Sequence, residues 1–221
     1  MPARLLLPSL VKGALFFSRK ESQPFSFLGR SHMELLEERI KKDGVVLPGN
    51  VLKVNSFLNH QIDPQLMMTL GQEFARLFKD AGVTRVLTAE ASGIAPGIMA
   101  AYCLGVPMVF ARKKKPSTVT DAVYTAEVFS YTKQVTNTIS VEAKFLDAND
   151  RILVIDDFLA NGEAAKGLIS LAEQAGAEVV GVGVVVEKAF QGGHDWLVNH
   201  GYHLEALASI KEFADGQVIF N

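Results

Sequence analysis

Through the second half of the chain, continuous apolar runs rich in valine and isoleucine alternate with segments of helical character. A strand buried on both faces reads as a continuous apolar run, whereas a strand with one solvated face alternates apolar and polar residues. The alternation therefore predicts an α/β fold with a central, mostly parallel sheet flanked by helices. The runs cover residues 85–89, 107–111, 152–155, 179–186 and 204–210, and the helical segments cover 94–104, 163–174 and 195–200.

Two further helices are predicted before the first of these strands. Residues 33–43 have apolar side chains at helical spacing, and Gly44 follows as a plausible end. A short strand is expected at 51–54. The next helix has Asp63 as N-cap and Pro64 at its first position, two strong start signals, and it ends before Gly82.

One stretch interrupts the alternation of strands and helices. Residues 112–121 are polar and basic, and segments 122–131 and 136–143 show the β-branched and aromatic alternation of a hairpin. Long insertions in compact α/β domains are commonly lids or binding loops. We therefore expect a loop and hairpin that cover a site at the edge of the sheet.

The first 32 residues differ from the remainder in charge. They hold five of the 22 basic side chains and one of the 24 acidic ones, which leaves residues 33–221 with 17 basic and 23 acidic groups, a net charge of −6. We interpret 1–32 as a leader outside the domain, vector-derived or else a targeting peptide or a functional extension. Residues 33–221 are expected to form a single domain.

The composition excludes several classes of function. The acidic body lacks the clustered basic face that nucleic-acid binding needs, and no apolar stretch reaches the roughly 20 residues of a membrane span. Cys103 is the only cysteine, so no internal disulfide can form and a reducing, cytoplasmic location is expected. No partner among nucleic acids or membranes is predicted.

The most informative segment runs from Arg151 to Ala165. It reads as a buried strand that ends in the adjacent acids Asp156 and Asp157, then a loop of small residues, then a helix starting near Glu163. Small side chains let backbone N–H groups approach an anion, and the helix start adds unpaired donors and a positive dipole end. Two carboxylates beside such a cradle suit a sugar phosphate.

This segment resembles the 5-phosphoribosyl 1-diphosphate (PRPP) motif of the type I phosphoribosyltransferases. The resemblance implies that Asp156 and Asp157 contact the ribose hydroxyls. It also implies that the following loop binds the 5-phosphate: Ala160, Asn161, Gly162, Glu163 and Ala164. The family usually has threonines in this loop, so an acid at position 163 is a departure from the pattern.

From about Met33 onward the chain resembles the xanthine-using members of that family. The segments that carry this resemblance are Gly44–Leu47, Val51–Val54, Ser56–Pro64, Ser92–Pro96 and Val186–Lys188. It implies that Leu52, Asn59 and Lys188 contact the purine, with the Lys188 ammonium donating to its 6-oxo group. Phe158 is a candidate to stack on the base. On the residues alone, Leu52 and Asn59 read as structural and Lys188 as a lysine emerging into solvent.

The loop of Ala91, Ser92 and Gly93 follows the first sheet strand. In the family the equivalent loop binds diphosphate, often through a non-proline cis peptide, which we expect near Ala91–Ser92. Otherwise it is an ordinary tight turn. Arg112 and Lys113 open a run of four cations; they offer charge to the diphosphate, or else they are simply solvated.

The resemblance implies a reaction of PRPP with xanthine that yields xanthosine 5′-monophosphate (XMP) and diphosphate, with Mg²⁺ carried in with the PRPP. It also implies a homodimer. Two alternatives stay open from the sequence. One is a phosphoribosyltransferase acting on guanine or hypoxanthine, and the other is a non-catalytic regulator that binds PRPP.

Overall fold

The computed structural model of the chain describes residues 32–113, 122–130 and 134–221. The predicted leader lies outside these residues, apart from His32, which begins the first helix. The other two lysines of the cationic run, at positions 114 and 115, also lie outside them.

The described chain contains the predicted strands and helices in the predicted order, together with two short strands, Val45–Leu47 and Gln217–Phe220, that the sequence did not predict. The helices are α1 (His32–Asp43), α2 (Pro64–Leu77), α3 (Ile94–Leu104), α4 (Glu163–Gln174) and α5 (Gly193–Asn199), with a π-helical turn at Asn55–Asn59 and a 3₁₀ turn at Ala143–Phe145. The strands are β1 (Val45–Leu47), β2 (Val51–Lys53), β3 (Arg85–Ala89), β4 (Met108–Ala111), β5 (Val123–Ser130), β6 (Val135–Glu142), β7 (Arg151–Leu159), β8 (Glu178–Lys188), β9 (Leu204–Ala214) and β10 (Gln217–Phe220).

Six of these strands form the central sheet, in the order β10-β9-β8-β7-β3-β4. Neighbouring strands from β4 to β9 run parallel, and β10 pairs antiparallel with β9. The predicted α/β fold with a mostly parallel sheet is confirmed. The antiparallel hairpin expected between the parallel strands is β5 with β6, and a second small hairpin joins β1 to β2.

An apolar core lies on each face of the sheet, and alternate side chains of β7 enter one core or the other. Leu153 and Ile155 enter the core beneath α1, α2 and α3, whereas Ile152 and Val154 enter the core that α4 and α5 cover. Both faces are therefore shielded from water, which explains the continuous apolar runs.

Two phenylalanines, Phe74 in α2 and Phe78 directly after it, lie on the backbone of β8. A Cβ added to Gly183 would lie 2.8 Å from the ring of Phe74, and one added to Gly181 would lie 2.4 Å from the ring of Phe78. Each fully buried aromatic side chain contributes roughly 1.5–3 kcal/mol. The two glycines thus let the helix approach the sheet closely enough to bury both rings.

The start of α2 has the predicted cap. The Asp63 carboxylate accepts from the backbone N–H groups of Gln65 and Leu66, each at 3.1 Å, and Pro64 occupies the first helical position. Such caps are worth about 0.5–2 kcal/mol. The cap fixes where the chain leaves the π-helical turn and enters the helix.

Candidate active site

A cleft of about 600 Å³ lies at the carboxyl ends of β3, β7 and β8. In open α/β sheets this edge is where ligands bind, because parallel strands all deliver their following loops to it. The lining includes the turn Gly49–Val51, the segments Ala89–Gly93 and Asp156–Ala165, and Lys188 with Gln191. The β5–β6 hairpin closes one side with residues Val128, Phe129, Ser130, Asn137 and Ile139.

Asp156 and Asp157 line this cleft. Asp156 is buried, and its carboxylate accepts from the backbone N–H of Asp157 at 3.0 Å. Burial raises the pKa of Asp156 well above its ordinary value, and the neighbouring Asp157 charge acts in the same direction. Burial also raises the pKa of Asp157. The pair can therefore accept hydrogen bonds from hydroxyls and can hold a proton.

The predicted phosphate loop, Ala160–Ala164, forms the turn between β7 and α4. Gly162 has a φ of +81° and no side chain caps the start of α4. Because the first turn of a helix leaves N–H groups without intrahelical partners, this uncapped end is suited to an anion. All five residues of the predicted loop line the cleft.

The acid in this loop has a compensating cation. The Lys166 ammonium lies 2.8 Å from a carboxylate oxygen of Glu163 and 5.2 Å from the ring centroid of Trp196. Lys166 lies one turn further along α4, so the pair is an i, i+3 contact on one helix face. The carboxylate at position 163 therefore does not face the cradle as an isolated negative charge.

The loop after β3 contains the non-proline cis peptide, at Glu90–Ala91. This is one bond earlier than the predicted Ala91–Ser92. The Glu90 carboxylate accepts from the backbone N–H of Lys113 at 2.7 Å, which ties the loop to the start of the insertion. Ala91, Ser92, Gly93 and Lys113 all line the cleft.

Lys188 ends β8 and lines the cleft. Its ammonium donates to the backbone carbonyl of Asn50 at 2.8 Å and lies 5.8 Å from the ring centroid of Phe158. Burial lowers the pKa of Lys188. An ammonium beside an aromatic ring provides a donor and a stacking surface for a planar base.

Proteins with sequences similar to this chain are phosphoribosyltransferases. The chain is 69% identical over 188 residues to the xanthine phosphoribosyltransferase of Lactobacillus johnsonii, covering 85% of this chain and 98% of that protein. The xanthine phosphoribosyltransferase of Lactobacillus helveticus is 66% identical over the same shares of the two chains. This chain belongs to the xanthine phosphoribosyltransferase family.

The solved structures that resemble this member of the family share its fold. The adenine phosphoribosyltransferase of Rhodothermus marinus superposes with a TM-score of 0.65 over 80% of this chain and 99% of that one, at 24% identity. The type I phosphoribosyltransferase fold predicted from the sequence is confirmed. No protein-family model matches the chain.

Three residues with predicted ligand contacts do not line the cleft of this phosphoribosyltransferase. Leu52 is buried in the core, and Asn59 is exposed at the end of the π-helical turn. Arg112 is exposed, pairs through its backbone with Ser140 and has its guanidinium 5.6 Å from the Phe110 ring centroid. The ligand contacts of these three residues stay predictions.

The cleft also contains residues that the sequence analysis did not select. Gly49 and Asn50, with φ of +80° and +60°, form the turn between β1 and β2, and Gln191 lies in the turn after β8. A Gly-Asn pair between two apolar runs is a hairpin signal that could have identified this turn. Gln191 follows a strand end without any comparable signal.

Two features are absent from the described residues. None of the described helices combines the length and the apolar character needed to cross a membrane. Within the same residues, no three His, Cys, Asp or Glu side chains come together as a metal site.

Proposed function

We propose that the chain transfers the 5-phosphoribosyl group of PRPP to N9 of xanthine, giving XMP and diphosphate. The observation that carries the proposal is the convergence in one cleft of the Asp156–Asp157 pair, the uncapped start of α4 and the Lys188 ammonium. The names of the relatives support the choice of xanthine.

The ribosyl group binds between the acids and the phosphate loop. The 5-phosphate accepts from the backbone N–H groups around Gly162 and at the start of α4, where the helix dipole favours negative charge. The carboxylates of Asp156 and Asp157 accept from the ribose hydroxyls. This holds C1 of the ribose at a fixed place between the base and the diphosphate.

In the reaction the C1–O bond to diphosphate breaks, the diphosphate leaves with the electron pair, and the N9–C1 bond forms. Positive charge develops on the ribosyl group, so positioning and electrostatic stabilisation matter more than a strong base. The proton released by the imidazole ring of xanthine passes to the carboxyl pair, whose raised pKa values suit it to that role.

The diphosphate is bound by the loop after β3 and by the insertion. Ala91, Ser92 and Gly93 offer backbone and hydroxyl donors, and Lys113 and Arg112 contribute positive charge. Mg²⁺ would arrive with PRPP, since Mg²⁺ keeps several waters and binds through one or two carboxylates together with phosphate oxygens. When bound, it neutralises charge on the leaving diphosphate.

The base lies against Phe158, with the Lys188 ammonium donating to its 6-oxo group. An ammonium favours an oxo group over an amino group, which selects against adenine. In this proposal Leu52 and Asn59 also contact xanthine, which requires the exposed Asn59 to approach the base in the liganded state.

A homodimer is part of the proposal. On α3, Ile98 is 45% exposed and Tyr102 is 73% exposed, one turn apart on the same helix face. A second copy of the chain that covers this face would remove both side chains from water. Cys103 is a free thiol, which is in keeping with the cytoplasmic setting that we propose for the enzyme.

The test is diphosphate release from PRPP with Mg²⁺, measured separately with xanthine, guanine, hypoxanthine and adenine. We expect the fastest release with xanthine. Fastest release with guanine or hypoxanthine would retain the phosphoribosyl site and reject the assigned base. Binding of PRPP without release on any base would instead support the non-catalytic regulator.

A further inference from the structure

Glu187 has a buried carboxylate to which the proposed reaction gives no role. The residue is 3% exposed, and each carboxylate oxygen has a partner. The Nδ1 atom of His194 lies 2.5 Å from Oε1, and the hydroxyl of Ser209 donates to Oε2 at 2.7 Å. Burying a carboxylate is unfavourable unless its oxygens are hydrogen-bonded, so the position of Glu187 depends on both partners. The carboxylate therefore links α5, which contains His194, to β9, which contains Ser209.

The sheet gives this carboxylate a fixed place. In the strand register Glu187 lies between Leu159 of β7 and Ser209 of β9. Ser209 is itself held by Asn221, whose side-chain amide donates to the Ser209 hydroxyl at 2.7 Å and whose backbone N–H donates to the Ser209 carbonyl at 3.0 Å. Glu187 thus offers the start of α5 a firm point of attachment to the sheet.

The attached part of α5 is the part that contacts the phosphate loop. His194 is the second residue of α5, and Gly193, the first, donates its backbone N–H to the carbonyl of Ala160 at 3.0 Å. Ala160 is the first residue of the loop and lines the cleft. A helix of seven residues has little stability of its own, so contacts with the rest of the protein must set where it starts.

We propose that Glu187 is a positioning residue for the 5-phosphate subsite. Its carboxylate fixes His194, the start of α5 is thereby fixed, and the Gly193 N–H then holds the Ala160 end of the loop. This inference rests on the proposed function, in which that loop binds the 5-phosphate. It adds a residue outside the cleft lining on which the affinity for PRPP depends.

Two substitutions of His194 test the link, since its side chain is 45% exposed and can be changed without opening a core. His194→Leu removes the donor to Glu187, so Kd for ribose 5-phosphate should rise by about 10-fold. Kd for diphosphate with Mg²⁺ should stay the same, because diphosphate is assigned to the loop after β3. His194→Asn keeps a side-chain N–H near the place of Nδ1 and should retain most of the affinity for ribose 5-phosphate. Isothermal titration calorimetry measures both ligands.

A second histidine–glutamate pair provides the matched control. The Nε2 atom of His203 lies 2.9 Å from a carboxylate oxygen of Glu205, at the amino end of β9 and thus at the edge of the sheet opposite the cleft. His203→Leu should leave the affinities for both ligands unchanged. In steady-state kinetics the same selectivity should appear as a higher KM for PRPP and an unchanged KM for xanthine in His194→Leu alone.

Glu187→Gln tests the other side of the contact. A carboxamide keeps the size of the side chain but has only one acceptor oxygen for the two partners, so Kd for ribose 5-phosphate should rise here too. Because both residues act through one contact, the double variant with His194→Leu should be no more impaired than the weaker-binding single variant. Melting temperatures show which variants are folded, and either single variant that is folded decides the question.

The outcomes separate this inference from the proposed function. Wild-type affinity for ribose 5-phosphate in His194→Leu or Glu187→Gln would overturn the inference alone. So would an equal loss of affinity for both ligands, which would make Glu187 a general support of the fold, or a His194→Asn variant as impaired as His194→Leu. Binding of ribose 5-phosphate by a wild type that releases no diphosphate with any base would overturn the proposed reaction alone. A wild type that does neither would overturn both.

Discussion

The backbone N–H of Gly193 donates to the carbonyl of Ala160 at 3.0 Å, which joins the start of α5 to the phosphate loop. The contact leaves no room for a side chain. A Cβ at Gly193 would lie 2.5 Å from that carbonyl oxygen and 2.9 Å from the backbone nitrogen of Gly162. The loop is thus held from outside the cleft by a helix that does not itself line it.

Gly193→Ala is expected to weaken PRPP binding. The added methyl group meets backbone atoms that cannot rotate away, so the phosphate loop must shift, and overpacking of this kind costs about 1–3 kcal/mol. We expect KM for PRPP to rise by about 10-fold and the melting temperature to fall by roughly 2–12 °C. Steady-state kinetics and a thermal melt measure the two effects.

The neighbouring glycine provides the control. A Cβ at Gly192 would meet no atom within 4 Å, so Gly192→Ala should leave both KM for PRPP and the melting temperature close to those of the wild type. Equal effects of the two substitutions would show that the turn is sensitive in general and that the contact with Ala160 has no special role.

Asp157→Asn tests the catalytic pair. The substitution retains the size of the side chain but removes the charge that holds ribose hydroxyls and accepts the proton of the base. We expect turnover at saturating PRPP and xanthine to fall at least about 100-fold with the fold intact. Near-normal turnover, with circular dichroism unchanged, would contradict the role assigned to Asp157.

Asp156→Asn is expected to stabilise the protein at neutral pH. Burial raises the pKa of Asp156 above its ordinary value of 3.8, so the folded state binds the proton more tightly than the unfolded state. The free energy of unfolding therefore falls as pH rises from 3.8 to the raised pKa of the folded state. Above that pKa the buried charge remains unfavourable. The variant has no such charge, and its amide oxygen still accepts from the Asp157 N–H.

Thermal melts from pH 3.5 to 8 measure this effect. The melting temperature of Asp156→Asn should exceed that of the wild type at pH 7, and the difference should shrink as pH falls toward 3.8. A difference that stays constant over this range would mean that Asp156 does not titrate as its burial implies. Glu212→Gln on β9, an exposed position, controls for the change in net charge, because it also removes one negative charge.

The parallel part of the fold could be predicted because its signals are local. The bounds of β3, α3 and α4 match the sequence prediction, since each apolar run and each helix has its own start and end residues. The strand β10 was missed because it is short and depends on pairing with β9. The Asp215-Gly216 turn, with φ of +51° and +74°, is a hairpin signal that could have revealed it.

Site residues that follow one another in the chain were identified together by one motif, whereas contacts between distant segments were not predicted. Asp156 and the phosphate loop belong to one segment, so a single motif identified them. The contact of Lys188 with Asn50 joins positions 138 residues apart, and no pattern in either segment encodes it. Likewise the partner of Glu163 was visible only once the helix placed Lys166 beside it.

The Glu163–Lys166 pair explains how an acid is tolerated in the phosphate loop, and this explanation is testable. Lys166→Met leaves the Glu163 carboxylate uncompensated beside the 5-phosphate, so KM for PRPP should rise by about 3-fold to 30-fold. Glu163→Gln removes the repulsive charge, so its KM for PRPP should equal or fall below that of the wild type.

The double variant distinguishes charge compensation from packing. Lys166 also lies over the Trp196 ring, so its loss alone could act through α5. If compensation is the cause, Glu163→Gln in the Lys166→Met background restores most of the PRPP affinity, and the effect of Lys166→Met weakens at high salt because screening reduces the repulsion. If the double variant is as impaired as Lys166→Met, the contact with Trp196 is what matters, and the carboxylate at position 163 is compensated by some other group.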